Sequence, residues 1–500
     1  MGLYQVMLVA LAMCAVKGDG IDDLVTDLPG LNFKPTFKQY SGYLNATDGK
    51  NLFYWLVESQ GDPSTDPIVL WLQGGPGCSA LGGFMNELGP FHVNPDGHTL
   101  YENVFTWNKF TNLLFIEAPS GVGFSYSNPK DDSTTDDLTA HYNFKALRDF
   151  FYNKFPQYQT RDFYVTGESY AGVYIPTLSK VIIDGIAANQ FPNNFKGVAI
   201  GNGILSERLQ FNSLIHLLYY HGVTGADEWN TLLQACCQGT QSDHCDFYSQ
   251  RLHRSNCSHQ IAEYMSHYQV NDQYNMYQDC YAKSDDEPAR RSFVNWMSPD
   301  YRFKALPTSP IKSLPPGTKD MSHQLNYDST DADFGFQCWA DESAYFNNVE
   351  VKKALHVPES LWSQSWCSCC YIPYKRTYFD MTDTFTYILQ HSNIRILIYN
   401  GDVDTVCNFL GDQWFVERQV APENKLKVLK ERVLWKYRKQ IAGSIKQFDR
   451  LDLLTVKGSG HFVPEDRAGP ALQMLFNFIK NTGDYSKATG LDVTPKPLAN

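Results

Sequence analysis

Gly167-Glu168-Ser169-Tyr170-Ala171-Gly172 follows an apolar stretch, Phe163-Tyr164-Val165, and precedes another, Val173-Tyr174-Ile175-Pro176-Thr177-Leu178. A strand, a tight turn of small residues around one serine and then a helix would push the Ser169 hydroxyl into the open as a nucleophile. Ala171 stands where such turns carry their second glycine, with Gly172 next. A serine hydroxyl is weakly nucleophilic and needs a base, and the base needs an acid to hold its tautomer. Both occur downstream in the required order. Asn400-Gly401-Asp402-Val403-Asp404 leaves a buried-strand pattern at 394–399, and Gly458-Ser459-Gly460-His461 leaves another at 453–456. Catalytic groups of open α/β sheets lie in loops at the carboxyl ends of strands. Ser169, one of Asp402 and Asp404, and His461 all have that placement, and the chemistry implied is acyl transfer through a serine ester.

A tetrahedral oxyanion would need fixed donors. The Tyr170 backbone N–H, directly after the serine, supplies one, and Gly75 in Gly74-Gly75-Pro76-Gly77 supplies another. That glycine-rich loop does not read as a phosphate cradle: no Lys-Ser/Thr follows it, and Pro76 removes an N–H.

Six spaced segments, taken together, resemble the serine carboxypeptidases, and within them the lysosomal cathepsin A type. They are Trp71-Leu72-Gln73-Gly74-Gly75-Pro76-Gly77-Cys78-Ser79, Asn86-Glu87-Leu88-Gly89-Pro90, the Ser169 segment, Gly201-Asn202-Gly203, Asn400 to Asn408, and Gly458-Ser459-Gly460-His461-Phe462-Val463-Pro464. The resemblance runs from about Leu24 to about Ile479. It implies an α/β-hydrolase fold and no cofactor or metal. It puts the catalytic acid at Asp404, a substrate-carboxylate site at Gln73, Glu87 and Glu168, and a leaving-residue pocket at Phe462 and Cys407. Two carboxyls can accept an anion only by supplying protons, and paired acids resist double ionisation, so an acidic optimum is expected. The sequence departs from the family at Gln73 (usually Asn), Phe462 (usually Met) and Ala80 (often Ser). The implied activity is release of C-terminal, hydrophobic residues from peptides with a free C-terminus. An acyltransferase on the same fold, or a protective partner of lysosomal glycosidases, are the alternatives.

The elements positioning these residues read as a mostly parallel central sheet, with strands at 68–72, 113–116, 163–166, 197–200, 394–399 and 453–456. Amphipathic segments alternate with them; in one, Phe144, Leu147 and Phe151 share a helical face. The rhythm fails across 204–374, which reads as an inserted lid between core segments 21–203 and 375–490. It contains an acidic-then-basic run at 284–291, expected to be a nicking site as an exposed polar loop, which the family resemblance implies yields two disulfide-linked chains, and a proline-rich stretch at 306–317.

The 500 residues carry a net charge of −12, which speaks against a nucleic-acid partner. The apolar run at 3–16 is too short to span a bilayer and reads as part of a signal peptide over 1–18, pointing to the secretory pathway and to a lysosomal or extracellular destination. Twelve cysteines agree with export. Cys236, Cys237, Cys245 and Cys257 cluster, without the paired spacing of a zinc ribbon. The family resemblance implies Cys236–Cys257, Cys237–Cys245 and Cys280–Cys338 bridges, and Cys78 joined to one of Cys367, Cys369 and Cys370, with Cys367 favoured. Asn45 and Asn256 head glycosylation sequons. The basic run at 425–439 reads as a solvated hairpin or helix rather than a membrane or nucleic-acid patch. A homodimer is the remaining association considered.

Overall fold

A computed structural model describes residues 20–31, 33–47, 49–94, 96–238, 241–270, 272–278 and 342–492. The expected signal segment, the 284–291 run, the proline-rich stretch and the Cys280–Cys338 pair lie outside the described residues.

Ile68-Val69-Leu70-Trp71-Leu72 is apolar at every position, a pattern satisfied only by a strand covered on both faces. It is one of ten strands in the path of the main sheet: β1 (Gln39–Thr47), β2 (Lys50–Val57), β3 (Ile68–Leu72), β4 (Asn112–Ile116), β5 (Phe163–Ser169), β6 (Phe195–Gly203), β7 (Arg395–Gly401), β8 (Val428–Tyr437), β9 (Gln440–Phe448) and β10 (Leu451–Val456). Their spatial order is β1-β2-β4-β3-β5-β6-β7-β10-β9-β8. The run from β4 to β10 is parallel throughout, and it comprises the six strands expected from apolar runs. Antiparallel hairpins extend it at both edges.

Alternate side chains of each strand enter two apolar layers. Leu70, Leu72, Val165, Ile200 and Ile398 share one, and Val69, Trp71, Ala199, Leu397 and Leu454 the other. A short helix, α1 (Ala80–Gly83), follows the glycine-rich loop. The first layer is covered by α2 (Asp136–Asp149) and α3 (Ala171–Ala187). Thr135 caps α2 by accepting from Leu138 N at 3.2 Å, and Phe144, Leu147 and Phe151 are buried as their helical spacing requires.

After β6 the chain leaves the sheet. Helices α4 (Glu207–Tyr220), α5 (Ala226–Cys236) and α6 (Asn256–Ser266) close around their own apolar cluster, with Leu217, Trp229, Leu232 and Ile261. Disulfides Cys236–Cys257 and Cys237–Cys245 occupy all four cysteines of that region. Asn45 and Asn256 are both exposed. The chain returns through α7 (Thr382–His391) and α8 (Phe409–Trp414), and α9 (Ala468–Ile479) covers the second layer.

The expected Cys78–Cys367 bridge is not formed. Cys78 is joined to Cys369, and Cys367 to Cys370. Register decides the pairing. Ser79 N donates to Ser368 O at 2.7 Å and Cys370 N to Gly77 O at 2.8 Å, which sets residue 369 opposite residue 78 as an antiparallel bridge.

Both sides of this bridge are tied to one buried carboxyl. Glu117, at the end of β4, accepts from Trp366 Nε1 at 2.9 Å and Phe124 N at 2.6 Å, and Ser79 Oγ donates to it as well. Burial pushes Glu117 up to about 7, against the downward pull of those three hydrogen bonds. Because the folded value is raised, its contribution to stability is fully present below about pH 4.5 and is lost as pH rises towards 7, worth on the order of 3 kcal/mol. Glu117→Gln should therefore flatten the fall in Tm between pH 4.5 and 7.5, measured by thermal unfolding; a slope equal to that of the parent would show that Glu117 is not the group responsible.

Candidate active site

The strand ends assemble the site. Ser169 closes β5 with φ 63°, a left-handed conformation rare for a residue with a side chain. It is the strain expected of a turn that aims one hydroxyl outwards. Ser169 remains partly exposed between buried Glu168 and Tyr170. A β-carbon on Gly74 would lie 2.5 Å from both Ser169 Cβ and Tyr170 N. Only glycine allows the 74–77 loop so close to the serine and the neighbouring amide. Gly75 and Tyr170, the two expected oxyanion donors, thus lie on segments packed directly against each other.

Asp404 follows β7 and is wholly buried. Its carboxylate accepts from His461 Nδ1 at 2.7 Å, Asn202 Nδ2 at 2.9 Å, Val406 N at 2.8 Å and Cys407 N at 3.1 Å. With Nδ1 engaged, the other ring nitrogen, Nε2, is the one left to act on substrate. His461 is buried, and Nε2 has no hydrogen-bond partner among the described residues. Asp402 serves a different end: it accepts from Gly458 N at 2.7 Å and so pins the start of the loop that carries His461. Burial raises the Asp402 carboxyl above its ordinary value.

The second cluster is acidic. Gln73 Nε2 donates to Glu168 Oε1 at 2.7 Å and reaches Glu87 Oε1 at 3.5 Å, while Gln73 Oε1 accepts from Trp71 Nε1 at 2.7 Å. Both carboxyls are buried. Burial holds Glu168 well above the usual carboxylate range, and the charge of Glu87 beside it adds to the effect. The longer Gln73 amide is accommodated by Gly83, where a β-carbon would sit 2.3 Å from Trp71 Nε1 and 2.7 Å from Gln73 Oε1. Phe462 packs with His461 at 5.1 Å between ring centroids and with Tyr274 at 5.2 Å. Cys407, whose amide donates to Asp404, is buried, and its thiol is pushed well up by burial.

Sequence reasoning missed several residues of this site. Asn202 bridges Asp404 and Gly401 N, the latter at 2.9 Å. The Gly-Asn-Gly segment at the end of β6 was its signal. Asp136, buried at the start of α2, accepts from Tyr170 Oη and Tyr374 Oη at 2.7 Å each and from Thr377 Oγ1 at 2.9 Å. It fixes the residue after the serine to the returning chain, and no local pattern announces it. Tyr399 on β7 is buried near the acidic pair, whose charges help raise its hydroxyl well above the usual range after burial.

A central parallel sheet layered with helices, with a strained serine and a buried His–Asp pair at its strand ends, is the arrangement of an α/β hydrolase. Within that class the chain belongs to the serine carboxypeptidase family, whose model matches residues 29–481. It is 40% identical to the Caenorhabditis elegans serine carboxypeptidase ctsa-4.1, over 93% of this chain and 94% of the relative. It is 39% identical to the lysosomal protective protein of Mus musculus, over 91% of this chain and 93% of that one. The solved structure of Kex1(delta)p, a prohormone-processing carboxypeptidase from Saccharomyces cerevisiae, shares the fold with a TM-score of 0.64 and 21% identity, covering 92% of this chain and 96% of that one.

The geometry distinguishes the two candidate acids. Asp404→Asn should lower kcat on the order of 10⁴-fold, by stranding His461 in the wrong tautomer. Asp402→Asn should stay within about tenfold of the parent, because it perturbs only a loop contact. Steady-state kinetics of the two variants would reveal a reversed ranking if Asp402 were the partner of the imidazole.

Proposed function

We propose that this protein is an acid serine carboxypeptidase that releases C-terminal hydrophobic residues through an acyl-enzyme on Ser169. The observation that carries the reading is the buried Glu168–Gln73–Glu87 cluster joined directly, through Glu168, to the strained serine. A general esterase has no use for a buried acid pair that holds a proton beside its nucleophile; a reader of a terminal carboxylate does.

In this reading Ser169 Oγ attacks the last peptide carbonyl as its proton passes to His461 Nε2. The backbone N–H groups of Gly75 and Tyr170 hold the oxyanion. Collapse of the tetrahedral intermediate breaks the C–N bond, and the imidazolium returns the proton to the leaving amine. Water, deprotonated by the same imidazole, then attacks the ester and frees Ser169. Asp404 holds the imidazole tautomer and stabilises its charged form. Gln73 donates an amide hydrogen, and Glu87 and Glu168 donate shared protons, to the substrate's terminal carboxylate. Phe462, with Cys407 nearby, gives the leaving residue apolar surroundings.

The pH dependence follows from the raised Glu168. Below its folded value the pair retains a proton to share. Above it the pair becomes anionic and repels the substrate's carboxylate, so affinity falls as pH rises. The acidity required agrees with a lysosomal or secreted location, a reading supported by the likeness to a lysosomal protective protein and by the disulfides.

Ser169→Ala should reduce hydrolysis of N-blocked dipeptides by roughly 10³-fold or more without impairing folding. Substantial turnover by the folded variant would sink the mechanism. Glu87→Gln or Glu168→Gln should raise KM for free-acid peptides and flatten their acid optimum, while C-terminally amidated or esterified substrates change little. Identical pH profiles for free and blocked substrates in the parent would make both acids purely structural.

A further inference from the structure

The strongest feature unused by this chemistry is the edge hairpin β8–β9. Residues 425–439 hold seven cationic side chains, Lys425, Lys427, Lys430, Arg432, Lys436, Arg438 and Lys439, against one acid, Glu431. The segment is thus +6 within a chain of net −12. Lysines on an edge strand ordinarily protect it from pairing with other strands, and that would suffice if its other side chains were buried or polar. They are not. Of the thirteen large hydrophobic residues exposed among the described residues, five belong to this hairpin: Val428, Leu429, Val433, Leu434 and Ile441. Leu429 is 68% exposed and Leu434 58%.

The backbone explains the clustering. Register shifts between Val428 and Lys430 and between Lys430 and Val433 break the two-residue alternation. Every side chain from Val428 to Leu434 is consequently exposed, and only Trp435 and Tyr437 return to the core. Arg432 is paired with Glu417 at 3.2 Å, but Lys425, Lys427, Lys430, Lys436 and Lys439 form no ion pair among the described residues.

We infer that this hairpin is a docking element for an anionic lipid surface. Charge complementarity selects the occupant. A second copy would bring two cationic edges together, whereas an anionic bilayer offers lipid head groups to the lysines and an interfacial layer to Leu429, Leu434, Val428 and Ile441. A purely charged polyanion would leave those apolar side chains in water. The hairpin would hold a soluble peptidase against the membrane without spanning it.

Co-sedimentation of the full-length protein with vesicles of phosphatidylcholine, with and without 30% phosphatidylserine, tests this. The anionic vesicles should bind it more tightly, and 0.5 M salt should weaken the binding. Lys427→Glu/Lys430→Glu/Lys439→Glu should lower the partition coefficient by at least about tenfold, and Leu429→Ser/Leu434→Ser by about threefold or more. Both variants should hydrolyse a small soluble peptide at the parent rate, which controls for folding. Equal binding to neutral and anionic vesicles, no binding, or indifference to the leucine substitutions would overturn the inference. So would a self-association, seen by size-exclusion chromatography, that the lysine substitutions strengthen.

Discussion

One carboxylate sealed from water, that of Asp404, holds the catalytic end of this molecule together. Its four donors come from three parts of the chain: Asn202 at the end of β6, the Val406 and Cys407 amides in its own turn, and His461 beyond β10. A buried anion without such partners would carry a large desolvation cost. The strand ends must therefore converge for the fold to tolerate Asp404 at all, and convergence is also what orients the imidazole. Here stability and catalytic geometry are set by the same hydrogen bonds.

The acidic pair follows the opposite logic. Glu168 and Glu87 are also buried, and the Gln73 amide lies against both, donating to Glu168 Oε1 at 2.7 Å and reaching Glu87 Oε1 at 3.5 Å. Burial, with the charge of Glu87 beside it, favours the neutral form of Glu168, which in the proposed reading leaves a proton available to a ligand. Glu117, beneath the Cys78–Cys369 bridge, is likewise pushed towards neutrality. In the proposed reading, binding and stability respond to acidity in the same direction through separate groups. A compartment of low pH would satisfy both.

The parallel centre of the sheet was legible because strands covered on both faces must be almost continuously apolar, as at 68–72 and 396–399. Ser169, His461 and the Asp402/Asp404 pair were legible because glycine-rich turns mark where such strands end; the choice of Asp404, and the roles of Gln73, Glu87 and Glu168, came from the family resemblance. The outer hairpin of β1 and β2 was not read, although Asp48-Gly49 between its strands is a turn signal. The Cys78 pairing failed because three cysteines within four residues fit one sequence spacing equally; only backbone register separates Cys369 from its neighbours. Asp136 was invisible as a site residue for a related reason: Tyr374 and Thr377, which donate to it, lie far away in sequence, and locally it looks like an ordinary helix start. Asn202 stood in a marked Gly-Asn-Gly segment, but its role in joining Asp404 to Gly401 shows only in the fold. The basic run at 425–439 read as a solvated hairpin or helix, and the fold makes it a hairpin strand, but its bulges, and hence the exposure of its leucines, cannot be seen in a periodicity.

The central claim is that a buried carboxyl pair reads the substrate's terminal carboxylate by lending it protons. Calorimetric titration of the Ser169→Ala protein with an N-blocked hydrophobic dipeptide, near neutral pH and in two buffers of different ionisation enthalpy, tests it most directly. Binding of the free acid should draw about one proton from solution, and binding of the matching C-terminal amide should draw none. Equal proton uptake by the two ligands, or none with either, would contradict the account.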